Sequence, residues 1–303
     1  MTLVVAKIID NDIQIVSDTK ITDLFLGSQN PLLGQLKTII LNPYISISFS
    51  GLPDYAQEVL KSFYQGELAN SNSILVINSL VVKCLEINRK SSNKTNFILC
   101  YIYNNQPKIY KISNYQIEQN LKNAWIGDII GFTKYQQYYH TSEITNELDK
   151  MEDAFEKVIE DNSVETVGDF IIRVANESNS TGETQYLNYQ INRIKYFGPV
   201  EFLDMGSGKF MMKHATPESG GYGISLLRSF NPQTPAIGIH FHVGNFGLLF
   251  FPQHSYSNGI IFRNQSDGEK FAEEIKNQFG FDVQGLLVTE KGLAFKHVNT
   301  SEK

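Results

Sequence analysis

Residues 2–18 read TLVVAKIIDNDIQIVSD, and this stretch decides the fold. An apolar, β-branched run at 2–9 breaks at Asp10-Asn11-Asp12 and resumes as the alternating IQIVSD of 13–18. Asp and Asn tolerate the left-handed backbone of a tight turn, so the pattern predicts a buried strand folding back on itself as a hairpin. Such pairing sets Asp18, at the end of the second strand, beside the start of the first, where Thr2 follows Met1.

Working outward, LKTIILNP (36–43) and ISISFSG (45–51) read as another strand pair. Pro53 sits in the first turn of a helix over 54–65, where its missing N–H costs little. Apolar residues at helical spacing predict a second helix over 73–90. Strands return at 96–103 and 107–113, joined by Asn104-Asn105-Gln106, and NAWIGD follows at 123–128. Helices are expected near 131–140 and 143–160, and again over 164–178, VETVGDFIIRVANES. Short strands come at about 184–196 and 200–213, with Gly206-Ser207-Gly208 as a hairpin turn. Strands in blocks and helices in blocks indicate an α+β fold.

From about 214 the texture changes. HATPESGGYG is loop-like, while AIGIHFHV and GLLFFP are strongly β-like. SDGEKFAEEIKNQFG reads as a helix with a capping box of Ser266 and Glu269, closed by Gly280. The chain therefore divides into a domain over 2–213 and a C-terminal α/β extension over 214–303. The aromatic run at 246–262 reads as a small core for the extension rather than a partner-binding face.

Composition excludes several functions. The 303 residues are 42% hydrophobic and 19% charged, the balance of a folded globular chain. A formal net charge of −6, with no run of Lys and Arg, argues against nucleic acid. No apolar run approaches the roughly 20 residues of a membrane helix, and the N-terminus lacks the basic and apolar segments of a signal peptide. Cys84 and Cys100 lie in apolar segments and read as reduced core residues, so a cytoplasmic location is expected. His240 and His242 share one face of a strand but find no third ligand at suggestive spacing, so neither a metal nor a cofactor is expected.

The chemistry starts at Thr2. Once Met1 is removed, Thr2 presents a free amine whose pKa of about 7.7–8.0 suits it to accept the hydroxyl proton at neutral pH. A hydroxyl activated by its own amine is a known nucleophile arrangement. Lys37, held by Asp18 near that amine, would lower the amine's pKa and stabilise developing negative charge. Gly51 ends a strand whose backbone N–H is suited to hold an oxyanion. Taken singly, each has a plainer reading: a small second residue, two surface charges, a turn glycine.

Taken together, these residues resemble the catalytic half of proteasome β-subunits and of the bacterial HslV-type peptidase, both N-terminal nucleophile hydrolases. In that family an aspartate follows the threonine by sixteen positions, as Asp18 follows Thr2 here. The family's lysine lies six residues before the proline of an Asn-Pro pair, matching Lys37 in KTIILNP before Asn42-Pro43. Its oxyanion glycine lies eight residues beyond that proline, matching Gly51 in SFSG. The likeness is specific to about residue 65; beyond that, AWIGD resembles the strand leading into a GSG turn and FGPVEFLDM a late strand of the family.

The resemblance implies a four-layer αββα sandwich and a threonine peptidase acting on peptides or unfolded protein. It also implies a homo-oligomeric ring and an AAA+ unfoldase as partner. Two departures stand out. Asp128 replaces the family's serine, where it is placed to hydrogen-bond the Thr2 amine, raise its pKa and blunt it as a base. The family's DxxSGG segment has no counterpart at about 194–198, IKYFG. The alternatives are a catalytically silent proteasome-like scaffold and a small-amide acylase on the same fold.

Overall fold

A computed structural model of the chain describes residues 2–21, 34–66, 74–168, 170–178, 181–182, 184–190, 201–204, 210–213, 224–241, 245–289 and 292–297. Strands β1 (Leu3–Ile9) and β2 (Asp12–Asp18) form the expected hairpin, with Ile9 opposite Asp12 and Val4 opposite Ser17. Asp10 and Asn11 take φ of 49° and 70°, the two successive left-handed residues that a tight hairpin turn requires.

The chain continues through β3 (Thr38–Asn42), β4 (Ile45–Gly51), α1 (Pro53–Tyr64), α2 (Ile74–Lys90), β5 (Thr95–Tyr103) and β6 (Gln106–Ser113). Next come β7 (Gln116–Glu118), β8 (Asn123–Gly127), α3 (Ile129–Thr141), α4 (Glu147–Glu160), β9 (Ile171–Ser178) and β10 (Gln185–Gln190). Two five-stranded sheets result, in the orders β10-β9-β2-β1-β8 and β3-β4-β5-β6-β7. Their pairings are antiparallel throughout.

The period-2 alternation of β1 explains how layers meet. Val4 and Ala6, with Ile13 and Ile15 of β2, share a core with Ile39, Ile47 and Phe97 of the second sheet. That cluster extends to Val59 and Leu60 of α1 and to Ile77, Leu80 and Cys84 of α2. Leu3, Val5 and Val16 instead pack with Tyr135 of α3 and Met151, Phe155 and Val158 of α4. Buried hydroxyls cross between the sheets: Thr38 Oγ1 donates to Ser17 Oγ at 3.0 Å and also meets Ser48 Oγ at 3.0 Å. This contact brings the end of β2 against the start of β3, and so Asp18 towards Lys37.

Beyond them, β11 (Glu201–Asp204) and β12 (Phe210–Lys213) pair with each other on either side of the expected Gly206-Ser207-Gly208 turn, which lies outside the described residues. A third sheet follows, from β13 (Ile224–Arg228), β14 (Ile237–Phe241), β15 (Phe246–Phe250), β16 (Gly259–Arg263), β17 (Gln284–Thr289) and β18 (Gly292–His297). Its order is β16-β15-β14-β13-β17-β18, with the short α5 (Pro252–Ser255) and α6 (Gly268–Phe279) between strands.

Phe246, Leu248 and Phe250 of β15 enter the large core that the first two sheets share, and Phe262 and Leu249 pack with Phe271 and Ile275 of α6. The aromatic run is thus core-forming. The fold is α+β, with helices and antiparallel sheets in separate blocks. Among the described residues no helix is long and apolar enough to cross a membrane.

Two local expectations are corrected. Within the expected helix over 164–178, residues 164–168 are a loop and Ile171–Ser178 is the strand β9. The β-branched Ile171, Ile172 and Val174 complete the first sheet beside β2, and this pairing overrides the helical spacing of the apolar residues. The N-cap of α6 is Asp267, whose side chain accepts from Lys270 N, rather than Ser266. A carboxylate at the cap also meets the positive end of the helix, which a serine does less well.

Candidate active site

The site is assembled where β1 begins and β2 ends. Because Val4 lies opposite Ser17, the next pair outward brings Thr2 and Leu3 to Asp18. Thr2 Oγ1 donates to Asp18 Oδ1, and Leu3 N donates to the same oxygen at 3.1 Å. The other oxygen accepts from Lys20 N at 3.2 Å and Gly168 N at 3.3 Å. The carboxylate therefore has four donors and is fully buried.

Burial pushes the Asp18 carboxyl above its ordinary pKa, and the neighbouring Lys37 ammonium, the Thr2 hydroxyl and the backbone N–H groups of Leu3 and Gly168 only partly offset this. Lys37 is itself buried, one residue before β3, with its Nζ 5.5 Å from the centre of the Phe49 ring. The Phe49 N–H donates to the Lys37 carbonyl at 3.0 Å, which fixes the lysine backbone against β4. Lys37 Nζ also donates to Gln35 Oε1 at 3.4 Å.

Strand β8 runs on the other side of β1, and the Asp128 N–H donates to the Thr2 carbonyl at 2.7 Å. Gly127 is required here. Its φ is +116°, and an added Cβ would stand 1.8 Å from the Thr2 oxygen. The Asp128 side chain caps α3: Oδ1 accepts from Gly131 N at 2.8 Å, and Oδ2 accepts from Thr166 Oγ1 at 2.6 Å. Among the described residues, its side-chain hydrogen bonds serve that cap and Thr166 rather than Thr2.

Gly51 closes β4 two residues beyond Phe49, with φ +98° and Lys94 O 1.7 Å from where a Cβ would stand. Its strand pairing is with Thr95, and no hydrogen bond among the described residues joins it to Thr2. The structure thus gathers Thr2, Asp18 and Lys37 and sets the backbone of Asp128 against them, while Gly51 ends β4, the strand whose Phe49 N–H donates to the Lys37 carbonyl.

Thr166, Gly168 and Gln35 escape the sequence reading. The expected helix over 164–178 hid the first two, although a glycine among β-branched residues argues against a helix there. The IKYFG stretch expected to align with the family's DxxSGG segment lies outside the described residues. Among the described residues, the loop after α4 reaches the site through Thr166 and Gly168. His240 Nε2 lies 2.8 Å from Gln265 O, while its expected companion His242 is outside the described residues. Compared with known proteins, the chain matches no family model and no curated protein.

Proposed function

We propose that the chain is an N-terminal nucleophile hydrolase that cleaves peptide amide bonds, built on a four-layer αββα sandwich. One observation carries the reading: the Thr2 hydroxyl donates into a fully buried carboxylate that a buried lysine also faces. Keeping a carboxylate and an ammonium away from water opposes folding unless they are tightly paired, and such arrangements concentrate at sites of chemistry. The cores on both faces of β1 and β2 agree with the sandwich.

In this mechanism Thr2 Oγ attacks the amide carbonyl, and its proton passes to the Thr2 amine, directly or through one water. The C–N bond then breaks as that proton moves to the leaving amine, and water hydrolyses the ester to restore the hydroxyl. Asp18 holds the hydroxyl on its attack line, Lys37 stabilises the charge that develops, and the Gly51 N–H is the oxyanion donor. The substrate class, the ring and the unfoldase rest on the family resemblance. The buried thiols Cys84 and Cys100 fit a cytoplasmic site of action.

The reading requires a free α-amino group on Thr2. Intact mass of the purified protein, followed by treatment with a peptide vinyl sulfone, tests it. We expect one covalent adduct, mapped to Thr2 and absent in Thr2→Ala. A Thr2 that stays acylated by a preceding residue, or a free Thr2 that never reacts, overturns it. The scaffold alternative draws on the burial of Thr2, which is 1% exposed, and the same labelling decides between them.

A further inference from the structure

Lys37 has a neighbour besides Asp18. Gln35 is 4% exposed, and its amide spans between the lysine and the C-terminal sheet. Its Oε1 accepts from Lys37 Nζ at 3.4 Å, while its Nε2 donates to Ser257 Oγ at 3.0 Å and to Asn258 Oδ1 at 3.3 Å. Only the oxygen end of an amide can accept from an ammonium, so the nitrogen end must face residues 257 and 258.

Ser257 lies in the turn between α5 and β16 and is fully buried. Its hydroxyl oxygen also accepts from Gln57 Nε2 of α1 at 2.8 Å. The backbone joins in: Leu36 N donates to Ser257 O at 2.9 Å, and Gln35 bridges antiparallel to Asn258. Gln35 N further donates to Thr19 O at 2.9 Å, one residue beyond Asp18. A single turn of the C-terminal sheet thus clamps the segment that carries Lys37. Buried hydrogen bonds of this kind are costly to leave unmade, so the clamp determines where the ammonium sits.

We propose that Gln35 is a positioning residue that fixes Lys37 against Asp18, and that the C-terminal sheet, through Ser257, holds Gln35 in that orientation. The C-terminal region then completes the site rather than decorating it. The catalytic consequence rests on the hydrolase reading above; the placement of Lys37 does not.

The test uses the full chain labelled with lysine 15Nζ and two readouts. One is the Lys37 side-chain resonance. The other is vinyl sulfone labelling of Thr2, separated into binding and inactivation. In Gln35→Leu we expect the Lys37 resonance to shift or be lost to exchange, and inactivation to slow about tenfold with binding unchanged within about twofold. Ser257→Ala should act in the same direction by about threefold, since it removes one acceptor and leaves the amide in place. Gln35→Glu keeps an acceptor for the ammonium but gives up both bonds from Nε2, so the Lys37 resonance should stay observable yet displaced, with a rate between those of Gln35→Leu and wild type.

An unmoved Lys37 resonance in both Gln35→Leu and Ser257→Ala overturns the proposal, as does a loss confined to binding. If Gln35→Leu fails to fold, Ser257→Ala, which deletes only a hydroxyl, carries the test. A wild-type chain that never labels removes the hydrolase reading, and the Lys37 resonance still decides the positioning.

Discussion

Asp18 and Glu177 are carboxylates on neighbouring strands of one sheet, each facing a cation, and their protons are pushed in opposite directions. Asp18 ends β2, accepts four hydrogen bonds and faces Lys37, yet its pKa is raised because burial outweighs those partners. Glu177 lies near the end of β9. Its Oε1 accepts from Arg228 Nη1 at 2.5 Å and Gln190 Nε2 at 2.9 Å, and its Oε2 accepts from Asn188 Nδ2 at 3.2 Å. Burial would raise it too, but the hydrogen bonds from Gln190, Arg228 and Asn188 prevail and hold it below the ordinary carboxylate range. Its side chain keeps 21% of its surface in water, whereas Asp18 has none.

The lesson is that similar polar partners do different work at different depths. Glu177 and Arg228 form a structural pair that ties β9 to β13 of the C-terminal sheet. Asp18 is held in a state that burial opposes, and what it gains is a fixed position beside a hydroxyl.

The largest effect should come from exchanging charge for shape at both places. Asp18→Asn keeps an acceptor for Thr2 and Leu3 but removes the charge, and Thr2 labelling should fall by about 10²–10³-fold. Its urea midpoint should fall as well, because an Asn amide turns a donor towards two of the four donors that Asp18 satisfies and leaves the buried Lys37 ammonium without its carboxylate. Glu177→Gln should lose stability without losing the chemistry. It strands the buried Arg228 guanidinium and should cost about 2 kcal/mol in urea unfolding, with labelling within about threefold of wild type. Labelling that tracks stability in both variants would dissolve the distinction.

Acid and base should then pull the two apart. A raised carboxyl contributes stability that is fully present below its unfolded pKa of about 3.9 and is lost as pH rises through its folded value. Asp18 is of this kind, so the melting temperature of wild type relative to Asp18→Asn should fall as pH goes from about 4 to 7. A lowered carboxyl contributes stability present above about 4.3 and lost as pH falls through its folded value. Wild type relative to Glu177→Gln should therefore lose its advantage on going from about pH 5 to pH 3. Equal slopes for the two differences would sink the assignment of opposite shifts.

How much of this could be read in advance follows the same divide. The Thr2–Asp18 contact was legible because a hairpin with a two-residue turn fixes register by counting, and Lys37 because its spacing from Asn42-Pro43 matches that of the peptidase family the chain resembles. Both depend on local spacing. Thr166, Gly168, Gln35 and Ser257 reach the site from separate segments, and no spacing in one chain reports contacts between residues 222 positions apart, as Gln35 and Ser257 are. The helix expected over 164–178 failed for a related reason. Val164, Val167, Ile171 and Val174 do fall at helical spacing, but β2 offered the segment an open ladder edge that only the folded sheet reveals. At α6 the misplacement of the cap by one residue came from a motif, Ser266 with Glu269, that fits equally well on paper.

Asp128 is a third carboxylate between these two cases, and it should give the smallest effect. It is 4% exposed and lies next to Thr2 through its backbone, but its oxygens serve Gly131 N at the start of α3 and the Thr166 hydroxyl. Asp128→Ala should cost about 1 kcal/mol for the lost cap. Asn caps a helix about as well as Asp, and its amide nitrogen can donate to the Thr166 oxygen. Asp128→Asn should therefore recover all but about 0.5 kcal/mol, the part owed to charge at the helix N-terminus. If capping is its whole task, the pH profile of Thr2 labelling should be the same in Asp128→Asn and wild type. A profile displaced to lower pH in a variant of undiminished stability would instead mean that the carboxylate holds a proton on the Thr2 amine, and Asp128 would then belong with Asp18 rather than with Glu177.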